Sequence, residues 1–178
     1  MRYVATAEEG ITWSIDEDDA AFIYRHGEIS VEVSEKKKFW TGTDGAFVNI
    51  DIGKGGTVIG ITKDDKFMYR KGVTPKKPAG KKWVEIEFDG KLVEATIGLD
   101  GTIFAITDGN ELYYRKDISE EKPMGDSWKE ITGLAVTSCS KGIVGGFLWC
   151  LNTDNKVFVR VGFEGFDGGS SWSKIGNE

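Results

Sequence analysis

Four arginines stand at a fixed spacing in this sequence: Arg25, Arg70, Arg115 and Arg160, one every 45 residues. Only one other arginine, Arg2, occurs in the chain. Tyr24, Tyr69 and Tyr114 precede the first three, and Val159 precedes the fourth. A second series runs beside them: Trp40, Trp83, Trp128 and Trp172, spaced 43, 45 and 44. A guanidinium is a planar fork of donors, and an indole is a flat apolar face with one N–H. Beside an Asp or Asn, the two suit a sugar, with the fork on ring hydroxyls and the indole on the C–H face. All eight residues are therefore candidate ligand-binding groups. Four weak sites of this kind would gain useful affinity through avidity. The same residues also have a purely structural use. A repeated arginine can bridge units through carbonyls or carboxylates, and a tryptophan opening an outer strand can be a packing anchor. Both uses remain open from sequence.

Positioning residues at such a period requires a repeated element. The two remaining tryptophans, Trp13 and Trp149, fit the same repeat, at places held by Ile59 and Phe104 in the middle copies. The chain divides into four units, 1–45, 46–90, 91–133 and 134–178. The second is the clearest. Phe47–Ile52 alternates apolar and polar, Thr57–Thr62 follows a glycine turn, and Lys66–Arg70 follows the turn at Lys63–Asp65. After a longer loop with Pro75, Pro78 and Gly80 comes Trp83–Ile86. The first unit repeats this as Tyr3–Ala7, Ile11–Ile15, Ala21–Arg25 and a strand around Lys38–Thr41. Thr43 stands there where Ile86, Ile131 and Ile175 stand elsewhere, and Val31–Val33 could extend the pairing. The third reads Leu92–Ile97, Thr102–Ile106, Glu111–Arg115 and Trp128–Ile131. The fourth reads Ala135–Ser140, Phe147–Leu151, Lys156–Arg160 and Trp172–Ile175. No useful helical period appears. Four antiparallel strands per unit of about 45 residues is the pattern of a β-propeller blade. The expected fold is thus all-β, one propeller domain of four blades over 1–178. Each unit runs from an innermost to an outermost strand, so no exchanged strand is needed to close a ring.

Composition narrows the function. The chain has 178 residues, 39% hydrophobic, with net charge −6. A sequence-general nucleic-acid binder needs a positive excess that is missing, so no nucleic-acid partner is expected. The runs Lys36–Lys38, Lys76–Lys77 and Lys81–Lys82 read as solvated loop charge, or as a rim meeting an anionic partner. Two cysteines and one histidine cannot make a zinc pattern, and no cofactor is expected. Cys139 and Cys150 flank one hairpin turn, where a disulfide or two reduced packing thiols would fit. The segment Arg2–Glu9 has no apolar signal core, and no run is long enough to cross a membrane. The expectation is a soluble protein without membrane insertion, cytoplasmic or exported by another route.

Catalysis finds little support. His26 reads as a surface histidine, because its counterparts are Lys71, Lys116 and Val161. Asp18–Asp19 and Asp64–Asp65 read as turn residues. Glu8, Asp51 and Glu94 lie near the expected axis, but not at one repeat position. No phosphate loop or nucleophile motif is present.

The run Gly101-Thr-Ile-Phe-Ala-Ile-Thr-Asp-Gly-Asn-Glu-Leu-Tyr-Tyr-Arg115, followed by Ser127-Trp-Lys-Glu-Ile-Thr-Gly133, resembles a tectonin repeat. The same elements recur from Phe147 to Arg160 and from Ser171 to Gly176. The resemblance implies a non-enzymatic β-propeller lectin, whose relatives include innate-immunity lectins for bacterial lipopolysaccharide and fungal lectins for methylated sugars. It implies glycans or lipopolysaccharide as partners. The family ring expected has six blades against four units here, so four either close alone or chains associate as a homo-oligomer. The alternative from another class is an intracellular protein-interaction scaffold, with Arg and Trp buried and the loops Gly72–Lys82 and Gly162–Ser170 presenting the surface.

Overall fold

The structure is a computed structural model and describes residues 1–7, 10–24, 40–142, 146–164 and 167–176. Glu8, Arg25, His26, Val31–Val33 and Lys36–Lys38 lie outside the described residues. The described chain is all-β, with fifteen strands. β1 (Tyr3–Thr6), β2 (Thr12–Ile15) and β3 (Ala20–Tyr24) form the first unit with the start of β4 (Trp40–Ile52). The rest of β4, with β5 (Val58–Thr62), β6 (Phe67–Lys71) and β7 (Lys82–Ile86), forms the second. The third is β8 (Leu92–Ile97), β9 (Ile103–Thr107), β10 (Leu112–Lys116) and β11 (Ser127–Ile131). The fourth is β12 (Val136–Lys141), β13 (Leu148–Asn152), β14 (Val157–Val161) and β15 (Ser171–Lys174). All pairings are antiparallel between successive strands, as short turns allow.

One boundary differs from the sequence expectation. β4 runs unbroken from Trp40 to Ile52, so units one and two share a seven-stranded sheet, beside two four-stranded ones. Elsewhere an isoleucine ends the outer strand and a turn follows it. Here Thr43 holds that place, and β3 accompanies β4 as far as Ala20 opposite Ala46, with a bulge absorbing the bend.

Apolar faces meet between successive units. Trp13, Ile15, Ala21 and Ile23 pack on Phe47, Ile50 and Val58. Ile59, Ile61 and Phe67 pack on Leu92, Ala95 and Ile103. Phe104, Ile106, Leu112 and Tyr114 pack on Val136, Cys139 and Leu148. Both faces of the middle sheets are buried, which accounts for their near-continuous apolar strands. Cys139 sits directly opposite Cys150 on β12 and β13, and both are buried free thiols.

The first strands of units two, three and four belong to separate sheets, so no main-chain ladder joins them. Side chains do so instead. Asn49 Oδ1 accepts from the Ala95 N–H at 3.0 Å. Asp51 Oδ2 accepts from the Ile97 N–H at 2.9 Å and the Thr96 hydroxyl at 2.8 Å. Glu94 Oε1 accepts from the Cys139 N–H at 2.8 Å and the Ser138 hydroxyl at 3.0 Å. Burial raises the pKa of Asp51 and Glu94, against the lowering effect of these donors. A carboxyl whose pKa is raised on folding contributes stability at low pH that is lost as pH climbs from the unfolded value, about 4.3 for Glu, through the raised one. Glu94→Gln keeps the acceptor without the buried charge. Urea denaturation should show it at least as stable as wild type at pH 7, with a flatter response as pH rises above about 4.3. Glu94→Ala should cost about 1–3 kcal/mol by orphaning the Cys139 N–H.

Candidate functional site

The arginines end the third strand of their units, where the ladder sets each beside the opening tryptophan of the fourth. Arg70 pairs with Trp83, Arg115 with Trp128 and Arg160 with Trp172. Each guanidinium lies over its indole, 5.3, 4.9 and 5.1 Å from the ring centroid. The donors turn inward to the connecting loop. Nε donates to the carbonyls of Ala79 at 2.8 Å, Met124 at 2.7 Å and Gly168 at 3.0 Å. Arg115 and Arg160 place a second donor on Gly125 and Gly169. Arg70 instead pairs with Asp44 of the preceding unit at 2.7 Å. Arg70 and Arg115 are buried, and desolvation draws the pKa of Arg115 and Arg160 below the usual arginine value.

The loop is shaped for this clamp by a glycine immediately after the carbonyl that receives Nε. Gly80, Gly125 and Gly169 all have left-handed backbone, with φ of 63°, 56° and 68°. Each stands three residues before its tryptophan, a Gly-x-x-Trp spacing visible in the sequence.

The tryptophans carry the connection onward. Trp83 Nε1 donates to the Asp44 carbonyl at 2.9 Å, Trp128 to Glu87 at 3.1 Å and Trp172 to Thr132 at 3.2 Å. Glu87 and Thr132 lie just past the outer strands of the preceding units, and Asp44 holds the equivalent place inside the unbroken β4. The rings also pack into the preceding unit, Trp83 against Trp13 and Trp128 against Phe67 and Phe88, and Trp83 touches Phe47 of its own unit as well.

Unit one departs from the 45-residue register. Trp13 faces Ile23 in the ladder, as Ile59 faces Tyr69, Phe104 faces Tyr114 and Trp149 faces Val159. The left-handed turn residues Asp19, Asp65, Asn110 and Asn155 keep the same correspondence. The first structural step is therefore 46, not 45. Tyr24, not Arg25, stands opposite Trp40, their rings 5.4 Å apart and edge-on. Position 37 is also a lysine, so the glycine and the in-register arginine are missing together. Of the eight residues singled out from sequence, the structure brings six together as three pairs. Trp40 has a tyrosine partner, and Arg25 lies outside the described residues.

Open polar space lies beside these pairs rather than on the guanidinium. Tyr114, Lys116, Asp117, Ile118, Glu164 and Asp167 line a cleft of about 290 Å³ between units three and four. Another, of about 240 Å³, lies between units two and three at the opposite end of the strands, with Asp64, Lys66, Glu85, Phe88 and Lys91 in its lining. Lys66 and Glu85 pair there at 2.8 Å.

A profile of the Tectonin domain matches residues 1–178. The chain belongs to the tectonin family. No curated protein matches this tectonin chain by sequence. Among solved structures it is similar to YCF48 bound to D1 peptide, with TM-score 0.58 at 12% identity over 96% of this chain and 52% of that one. Human WBSCR16 gives 0.57 at 13% over 93% and 49%. YCF48 from Cyanidioschyzon merolae gives 0.57 at 11% over 97% and 58%. The tectonin chain thus spans about half the length of the solved structures it matches, and it shares their β-propeller architecture. Among its described residues no helix is long and apolar enough to cross a membrane.

A Cβ at Gly125 would lie 2.0 Å from the Lys116 carbonyl oxygen, whereas one at Gly55 (φ 67°) meets nothing within 4 Å. Gly55→Ala should cost only the left-handed strain of about 1–2 kcal/mol. Gly125→Ala should cost clearly more, as read from the urea midpoints of the two variants.

Proposed function

We propose that this tectonin protein is a β-propeller lectin contributing four blades, one per repeat. It binds glycans on microbial or other cell surfaces, lipopolysaccharide included, in the manner of innate-immunity recognition. The observation that carries this reading is the cleft of Tyr114, Lys116, Asp117, Ile118, Glu164 and Asp167. It joins an aromatic residue to a lysine and three carboxylates at a junction between repeats, a mixture suited to polyhydroxylated rings. The second polar cleft supports more than one site per molecule. The half-buried indoles of Trp83, Trp128 and Trp172 are a separate resource, available to a sugar's apolar face. Binding without catalysis is the accompanying proposal: the half-buried carboxylates Asp51 and Glu94 are already committed to neighbouring backbone N–H groups.

The experiment is a glycan array carrying bacterial lipopolysaccharides and methylated sugars, followed by titration of the best ligand. Asp117→Asn with Glu164→Gln, both exposed positions, should weaken binding about tenfold or more while leaving the melting temperature unchanged. A blank array with folded protein would overturn the lectin reading and favour a protein partner.

A further inference from the structure

Three junctions between successive units show what each face of a unit is for. The forward face of units one, two and three carries Trp13, Ile59 and Phe104 at one position, and Ile15, Ile61 and Ile106 at the next inward one. Ala21, Phe67 and Leu112 occupy a third, and all nine residues are essentially fully buried. In unit four these positions are Trp149, Leu151 and Val157. They are 44%, 38% and 36% exposed and line one open groove with Ser138 and Ser140. The rear face has the same history. Ile50, Ala95 and Cys139 are buried where units two, three and four receive their predecessor, and the matching residue of unit one, Val4, is 55% exposed. Three residues before that strand position stand Phe47, Leu92 and Val136, all buried, and in unit one Met1, which is exposed.

The chain therefore displays the two halves of one further junction, built of the same residue classes as the three it completes internally. It leaves them apart. An arc covering about half of the solved propellers it resembles presents these faces at its two ends, so they are placed to meet another molecule. We propose that the forward face of unit four docks on the rear face of unit one in a second copy of this chain, and reciprocally, so that two arcs make one ring. A head-to-tail contact closes when the rotation it imposes completes the circle, and two equal arcs satisfy that condition. The junction has a polar signature too. Trp83, Trp128 and Trp172 each donate to the carbonyl of the residue that follows Thr43, Ile86 and Ile131 of the preceding unit. By the same correspondence, Trp40 meets the carbonyl of Gly176 in the other copy. The burial of Trp149, Leu151 and Val157 removes an apolar patch that a lone molecule leaves in water.

This inference does not rest on the carbohydrate reading, and its test needs no sugar. Sedimentation velocity on the wild-type chain should give twice 19.6 kDa at micromolar concentration. Trp149→Glu alone and Val4→Glu alone should each give monomers with wild-type circular dichroism. Mixing the two variants should restore a heterodimer, because each keeps the face the other has lost. Leu151→Lys provides a second break of the forward face and should behave as Trp149→Glu. A wild-type monomer at tens of micromolar would overturn the proposal. So would a dimer that survives both single-face variants, since that contact would lie elsewhere.

Discussion

The structure depends on one compound contact: an arginine laid over a tryptophan, with the loop between them folded back onto the arginine. Burying a guanidinium is costly unless its donors are met and its charge has a partner face. Here loop carbonyls meet Nε and, in two units, a second nitrogen, and the indole quadrupole faces the cation. The tryptophan is then held rigidly enough for its N–H to hook a carbonyl of the preceding unit. A single clasp thus shapes the loop, fixes the outer strand and joins two units. Hydrogen bonds to a charged donor contribute about 1.5–3 kcal/mol each, and a desolvated cation–π contact about 2. Against a typical net stability of about 5–15 kcal/mol, three such clasps are decisive.

A different device works at the other edge of the sheets. The first strands come close without a shared ladder, and side-chain acceptors at Asn49, Asp51 and Glu94 take up the neighbouring backbone donors. Orphaned buried N–H groups are rare for the reason that they are costly. Their satisfaction by carboxylates explains acidic residues near the axis without invoking catalysis. It also carries a penalty, because both carboxyls are held partly out of water with raised pKa values.

Much of this was legible in the sequence, because the repeat averages over local ambiguity. Strand positions in units two to four follow from the alternation and turn residues, and the tryptophan series marks the outer strands. What was not legible had specific physical causes. Arg25 keeps a 45-residue spacing, yet the ladder and turn residues step 46 from unit one to unit two, which puts Tyr24 opposite Trp40. Spacing between single residues cannot see a bulge or an insertion, whereas the left-handed turn residues can. The direction of the arginine fork was also hidden. A fork facing solvent and one facing loop carbonyls use the same residue, and only the glycine three residues before each tryptophan tells them apart. The continuous β4 escaped because the repeat placed a unit boundary at residue 45, while extra residues of β4 at the bulge keep that stretch in the sheet.

The most direct measurement is a double-mutant cycle on the clasp of unit three. Arg115→Ala, Trp128→Ala and the double variant would be compared with wild type by urea denaturation at neutral pH. If arginine, loop and tryptophan act as one unit, each single change destabilises and the double adds little. The coupling should then be at least about 1 kcal/mol, within the range for residues in one contact network. Additive losses, agreeing within about 0.5 kcal/mol, would mean that stacking and loop clamping are independent, and would contradict the account.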